Sequence, residues 1–98
     1  MIDTTSLSAA LVEMQKKCIG LYFNQYLDKY VPVIKETEYS FVVIYIGNML
    51  GLSEEHLPKD DENNPRTVVH FPGNKTLFQM MENPIEFNDW CVKTLKQL

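Results

Sequence analysis

The sequence predicts a mainly α protein: a small single-domain helical bundle, covering 1–98, with one short β segment near 66–71. Three observations predict it. Apolar residues recur at intervals of three and four from Leu7 to Tyr22, the spacing of an amphipathic helix. The apolar run within 37–50 is followed directly by Gly51, where a helix-ending glycine belongs. Asn83-Pro84-Ile85-Glu86 combines an N-cap, a first-turn proline and a glutamate three residues after the cap.

The first helix is expected over about Ser6 to Tyr30. Leu7, Leu11, Met14, Cys18, Leu21 and Tyr22 form its inner face, and Thr5 or Ser6 caps it. Gly20 is a weak point or a close approach to another helix. Tyr22, Tyr26 and Tyr30 follow a spacing of four and read as packing residues with their hydroxyls toward water. Pro32 ends the element.

The second element, about Thr37 to Leu50, has two readings. Phe41-Val42-Val43-Ile44-Tyr45-Ile46 suits a buried strand. Its extension through Met49 and Leu50, a cap at Thr37 or Ser40, and Gly51 favour a helix, apolar on nearly every side and therefore central. The first and last helices pack around it.

Ser53-Glu54-Glu55 caps a short turn that Pro58 ends, and Lys59 to Pro65 is an exposed loop. Arg66 to Phe71 alternates as one short strand, which must pair with another segment, lie as an arm or pair across a dimer. Asn74 caps a short helix through Met81, and the last helix starts at Asn83, with Phe87, Trp90, Cys91, Thr94, Leu95 and Leu98 on one face.

The 98 residues fit one domain. The longest apolar-rich run is far too short to span a bilayer, and the N-terminal residues lack the pattern of a secretory leader. A cytoplasmic protein is therefore expected, with Cys18 and Cys91 as buried free thiols and Asn74-Lys75-Thr76 as an unused sequon.

The net charge is −4, and all of it lies between Ser53 and Glu62. Glu54, Glu55, Asp60, Asp61 and Glu62 stand there against one Lys59. The chain has a single arginine, Arg66. Nucleic-acid and anionic-membrane binding rest on clustered cations, so neither is expected, and a basic protein surface is the better electrostatic match. Ile46 to Leu57 has the outline of a helix-turn-helix, but two glutamates open its second helix and would repel phosphate.

His56 and His70 lack the short paired spacing of metal ligands, and the acidic run lacks the glycine and alternation of a calcium loop. No nucleophile motif or phosphate-cradling glycine loop is present. No catalytic residue, metal or cofactor is therefore assigned. Phe78, Met80 and Met81 cannot share one face of a short helix, so some apolar surface is left for a partner.

The expectation is a non-catalytic protein-interaction module. Its partner-binding residues are Glu54, Glu55, Asp60, Asp61, Glu62, Phe78, Met81, Phe87 and Trp90. In its sharper form it is a small acidic inhibitor of a larger or nucleic-acid-binding protein. The alternatives are a self-associating structural protein, such as a homodimer, and a small ligand- or metal-binding regulator.

Overall fold

The computed structural model describes residues 4–46 and 52–95. The fold is α+β, built on a five-stranded antiparallel sheet, and this overturns the helical bundle. Helix α1 (Thr4–Lys17) leads into four strands in a meander: β1 (Gly20–Asn24), β2 (Lys29–Glu36), β3 (Ser40–Ile46) and β4 (Leu52–Pro58). Helix α2 (Asn63–Thr67) carries the chain to β5 (Val68–His70). A 3-10 turn at Pro72–Asn74 then precedes α3 (Leu77–Met81) and α4 (Pro84–Leu95).

The expected first helix stops at Lys17 because the next residues are poor helix material. Ile19, Tyr22, Phe23, Tyr30, Val31 and Val33 are β-branched or aromatic, and Asn24 to Asp28 make a turn between them. Asn24 Oδ1 accepts from the backbone N–H of Tyr26 (3.0 Å) and Leu27 (3.1 Å). Asp28 takes φ 52°, a left-handed conformation that Asp and Asn tolerate. Tyr22, Tyr26 and Tyr30 therefore fall on a strand, a turn and a strand, not on one helix face. Pro32 does not stop an element. The β2–β3 register begins one residue later, at Val33↔Val43, and shifts between Val33 and Lys35, a bulge of the kind that bends a strand.

The expected central helix is β3. Phe41 and Val43 are buried on one face, Val42 and Ile44 on the other. A strand covered on both faces shows no alternation, so its sequence resembles a buried helix. The Gly51 turn lies outside the described residues. The short turn expected at Ser53-Glu54-Glu55 is part of β4, so the second helix of a helix-turn-helix is absent there.

The short strand near 66–71 exists as β5, and it pairs with β1 through Gly20↔His70, Leu21↔Val69 and Tyr22↔Val68. Gly20 is where that strand approaches most closely. A Cβ there would collide with the Val69 carbonyl oxygen. The glycine thus serves a strand contact, not a helix crossing.

The strand order is β4-β3-β2-β1-β5, so the stretch from Lys59 to Thr67 joins one edge of the sheet to the other. The sheet curls toward the face carrying Tyr22, Val31, Val33, Phe41, Val43 and Leu57. The Phe41 and His70 rings, on β3 and β5, lie 6.2 Å apart across it. Val31, Val33, Phe41, Val43 and Leu57 form the core of this concave face. Cys18, Phe71 and Met80 form a second core with Met14, Leu21, Leu77, Phe87 and Trp90, between the other face of β1 and the helices.

Asn83 caps α4 as expected, its Oδ1 accepting from the Glu86 N–H at 3.2 Å. The cap of α3 is Thr76 and not Asn74. Thr76 and Gln79 satisfy each other's backbone N–H groups, while Asn74 sits at φ 56° in the preceding turn. No described helix is long and apolar enough to cross a membrane.

Candidate functional site

The concave face is filled at its centre and open toward the β1–β2 turn. There Tyr22, Asn24, Tyr26, Leu27, Tyr45, Glu55 and Leu57 line a groove of about 370 Å³. Each strand contributes by its alternation. Tyr22 and Asn24 are two apart on β1, Tyr45 extends the Phe41 and Val43 series on β3, and Glu55 and Leu57 are two apart on β4. Glu55 faces Val43 and Ser53 faces Tyr45, so Glu55 and Tyr45 are diagonal neighbours on one face.

Asn24 fixes the groove's polar geometry. Its oxygen is committed to the turn N–H groups, so its Nδ2 points to Tyr45 and donates to that hydroxyl at 3.1 Å. Among the described residues no other group bonds that hydroxyl, whose O–H and second lone pair are left for a further contact.

A smaller recess of about 100 Å³ adjoins on the α2 side, between Tyr22, Tyr26, Gln25, Asp61, Asn63, Asn64 and Thr67. Asn64 is buried and anchors this crossover, its Nδ2 donating to the Pro58 carbonyl at 2.7 Å. Burial pushes the Tyr22 phenol above its ordinary value, and Tyr45, Glu55 and Asp61 add repulsion for the phenolate. The neighbouring Thr67 hydroxyl opposes them.

The five predicted acids separate. Glu55 lines the groove and Asp61 the smaller recess. Glu54 alternates to the opposite face of β4. Asp60 and Glu62 are exposed in the connection to α2. Asp61 also shapes that connection, its Oδ1 accepting from the Asn63 N–H at 3.1 Å.

The four predicted apolar residues separate too. Met80 takes the buried side of α3, and Phe78 and Met81 remain exposed. The Phe87 and Trp90 rings turn inward onto Phe71, at 6.3 and 5.2 Å. Outside them, Met81, Pro84, Phe87, Asn88 and Cys91 line a second, apolar recess of about 310 Å³.

Tyr22, Asn24 and Tyr45 are the groove residues that the helical reading hid. The available signal was period-two spacing: Tyr22 and Asn24 in one run, Phe41, Val43 and Tyr45 in another.

A separate cluster closes the far end of the concave face. Glu36 accepts from Lys59 Nζ at 2.8 Å and pairs with His70 Nε2 at 2.6 Å. Lys59 and then His70 hold the Glu36 carboxyl below its ordinary value. The cluster ties together β2, the end of β4 and β5. Cys18 and Cys91 are both free thiols. Burial raises both above the ordinary thiol value, and Cys18 Sγ donates to the Gly20 carbonyl at 3.1 Å, which makes poor nucleophiles. Among the described residues, no three His, Cys, Asp or Glu side chains come together as a metal site. Compared with models of known families, with curated proteins and with solved structures, the chain matches none.

Proposed function

We propose that this protein is a non-catalytic interaction module whose acidic β4–α2 segment receives a basic segment of a partner protein. One observation carries the reading. Glu55 and Asp61 stand in two adjoining recesses that share Tyr22 and Tyr26. Opposite charge favours encounter and register, and tyrosine supplies amphipathic contact area at low entropic cost.

The edge position of β4 supports the same reading. β4 pairs with β3 alone among the described strands. Its Glu54, Glu55 and His56 are exposed. Acidic side chains on an edge discourage pairing with a like edge and leave the backbone open to a basic extended chain.

The test is binding of the full chain to a lysine-rich extended peptide at low and raised salt. Affinity should fall with salt. It should fall further when Glu54, Glu55, Asp60, Asp61 and Glu62 are replaced by Gln or Asn. Equal affinity of that variant at low salt would refute the reading.

Self-association is a second reading. Its support is apolar exposure on α3 and α4, where Met81 is 45%, Ile85 77% and Val92 49% accessible. An unpaired strand no longer supports it, because β5 pairs within the chain. Sedimentation at high concentration tests it: a monomer throughout would exclude it.

A further inference from the structure

We propose that the groove between Tyr22, Asn24, Tyr45 and Glu55 is a site for the alkylammonium group of a partner's lysine side chain. This rests on the interaction reading and names the group that the groove takes.

The charge of the groove selects a cation. Among the described residues that line it, Glu55 is the one carboxylate and none is basic. Asp61 adds negative potential from the far side of Tyr22. Lys29, which faces Asn24 in register across the hairpin, is exposed and is not among the lining residues.

The acceptors suit an ammonium better than the other cations. Glu55 lies on β4 and the Tyr45 oxygen on β3. Acceptors carried on separate strands suit the three rotatable donors of an ammonium. A guanidinium presents a rigid planar fork. A divalent metal needs several carboxylates or imidazoles, and the described residues gather no such group.

The walls fit the rest of the side chain. Tyr22, Tyr26 and Tyr45 line the groove, and aromatic rings attract a cation. Leu27 and Leu57 offer apolar surface for a four-carbon stem. The volume of about 370 Å³ has room for such a group. Asn24 holds the Tyr45 hydroxyl in place without blocking its second lone pair.

The experiment is an NMR titration of the isotopically labelled full chain with n-butylammonium, methylguanidinium, n-butanol and a lysine-rich extended peptide. Butylammonium should move the amides of Tyr22, Asn24, Tyr45 and Glu55 saturably, more strongly than methylguanidinium or butanol. Glu55→Gln should weaken it by about tenfold, and Tyr45→Phe by a few-fold. Glu55 is exposed on an edge strand and Tyr45→Phe keeps the ring that packs on the concave core, so both variants should keep the wild-type far-UV circular dichroism. The peptide should bind more tightly than the amine and move the same amides.

Groove amides that stay unmoved by butylammonium would overturn the site, as would an equal response to methylguanidinium or an unchanged affinity in Glu55→Gln. A free amine binding as tightly as the peptide would overturn the lysine side chain as its occupant. If the peptide still bound through the acidic segment while the groove stayed silent, this proposal would fail and the interaction reading would stand. If butylammonium bound and the peptide did not, the interaction reading would fail.

Discussion

Asn24 uses both ends of its amide. The oxygen holds two turn N–H groups, and the nitrogen holds the Tyr45 hydroxyl. Asn24→Ala removes all three bonds, and the protein should lose about 1–2 kcal/mol in urea unfolding. Asn24→Asp keeps the acceptor for the turn. It should cost less than about 0.5 kcal/mol, because the Tyr45 O–H can turn to donate to the new carboxylate. It also adds negative charge, so butylammonium should bind more tightly. A comparable loss of stability in both variants would show that the Tyr45 bond, and not the turn, sets the cost. Glycine gives a second contrast at this scale. Gly20→Ala meets the Val69 carbonyl and should cost about 1–3 kcal/mol by forcing β5 away. Gly73 has open space around it but φ 64°, so Gly73→Ala should cost only backbone strain, about 1 kcal/mol.

At the scale of elements, the cluster of Glu36, Lys59 and His70 joins the ends of three segments, and its contribution depends on pH. The Glu36 carboxyl is held below its ordinary value, first by Lys59 and then by His70. The unfolded chain therefore binds the proton more readily. Stability from this pairing is complete above the ordinary carboxylate range and disappears as the pH falls through the lowered folded value. The side chains are partly exposed, at 37% for Glu36, 26% for Lys59 and 50% for His70, so the effect is at most about 1 kcal/mol. Glu36→Gln should flatten that part of the acid limb of a urea-midpoint profile. An unchanged limb would mean that other carboxylates set it.

Elements also differ in how legible they were. Asn83-Pro84 announced α4 because a cap is a local arrangement, complete within a few residues. β3 was masked because burial on both faces removes the alternation that marks a strand. Tyr22, Tyr26 and Tyr30 matched a helical spacing, although a turn at Asn24 to Asp28 divides them. The acidic segment was visible as composition, but which acids share a recess follows from strand alternation on β4 and the path of the crossover. Only the pairing of distant segments determines those two things.

Across the whole molecule, the sheet separates two cores of different make-up. The concave core is Val31, Val33, Phe41, Val43 and Leu57, with the groove at its open end. The other joins β1 to α1, α3 and α4 through Cys18, Phe71, Met80, Phe87 and Trp90. Charge on the concave side and exposed apolar residues on the helical side mark two surfaces on opposite faces of the sheet. Changes on one should leave the other intact. Ile85→Lys with Val92→Lys should abolish any self-association seen in sedimentation and leave butylammonium binding within about twofold. A parallel loss of both would mean that the two surfaces are coupled through the sheet.

The β1–β5 ladder joins residues on either side of the whole meander, with Gly20 opposite His70. The hairpins of β1 to β4 close over neighbouring segments and should form early, while β5 waits for a long loop to close. Amide exchange should therefore show two steps, with β5 and α2 opening together at lower free energy than the strands of the meander. In that partly open state Tyr22 and Val68 lose their cover while Tyr45 and Glu55 stay on a paired sheet. The groove would then keep all its lining residues, while the smaller recess would lose the wall of Asn63, Asn64 and Thr67.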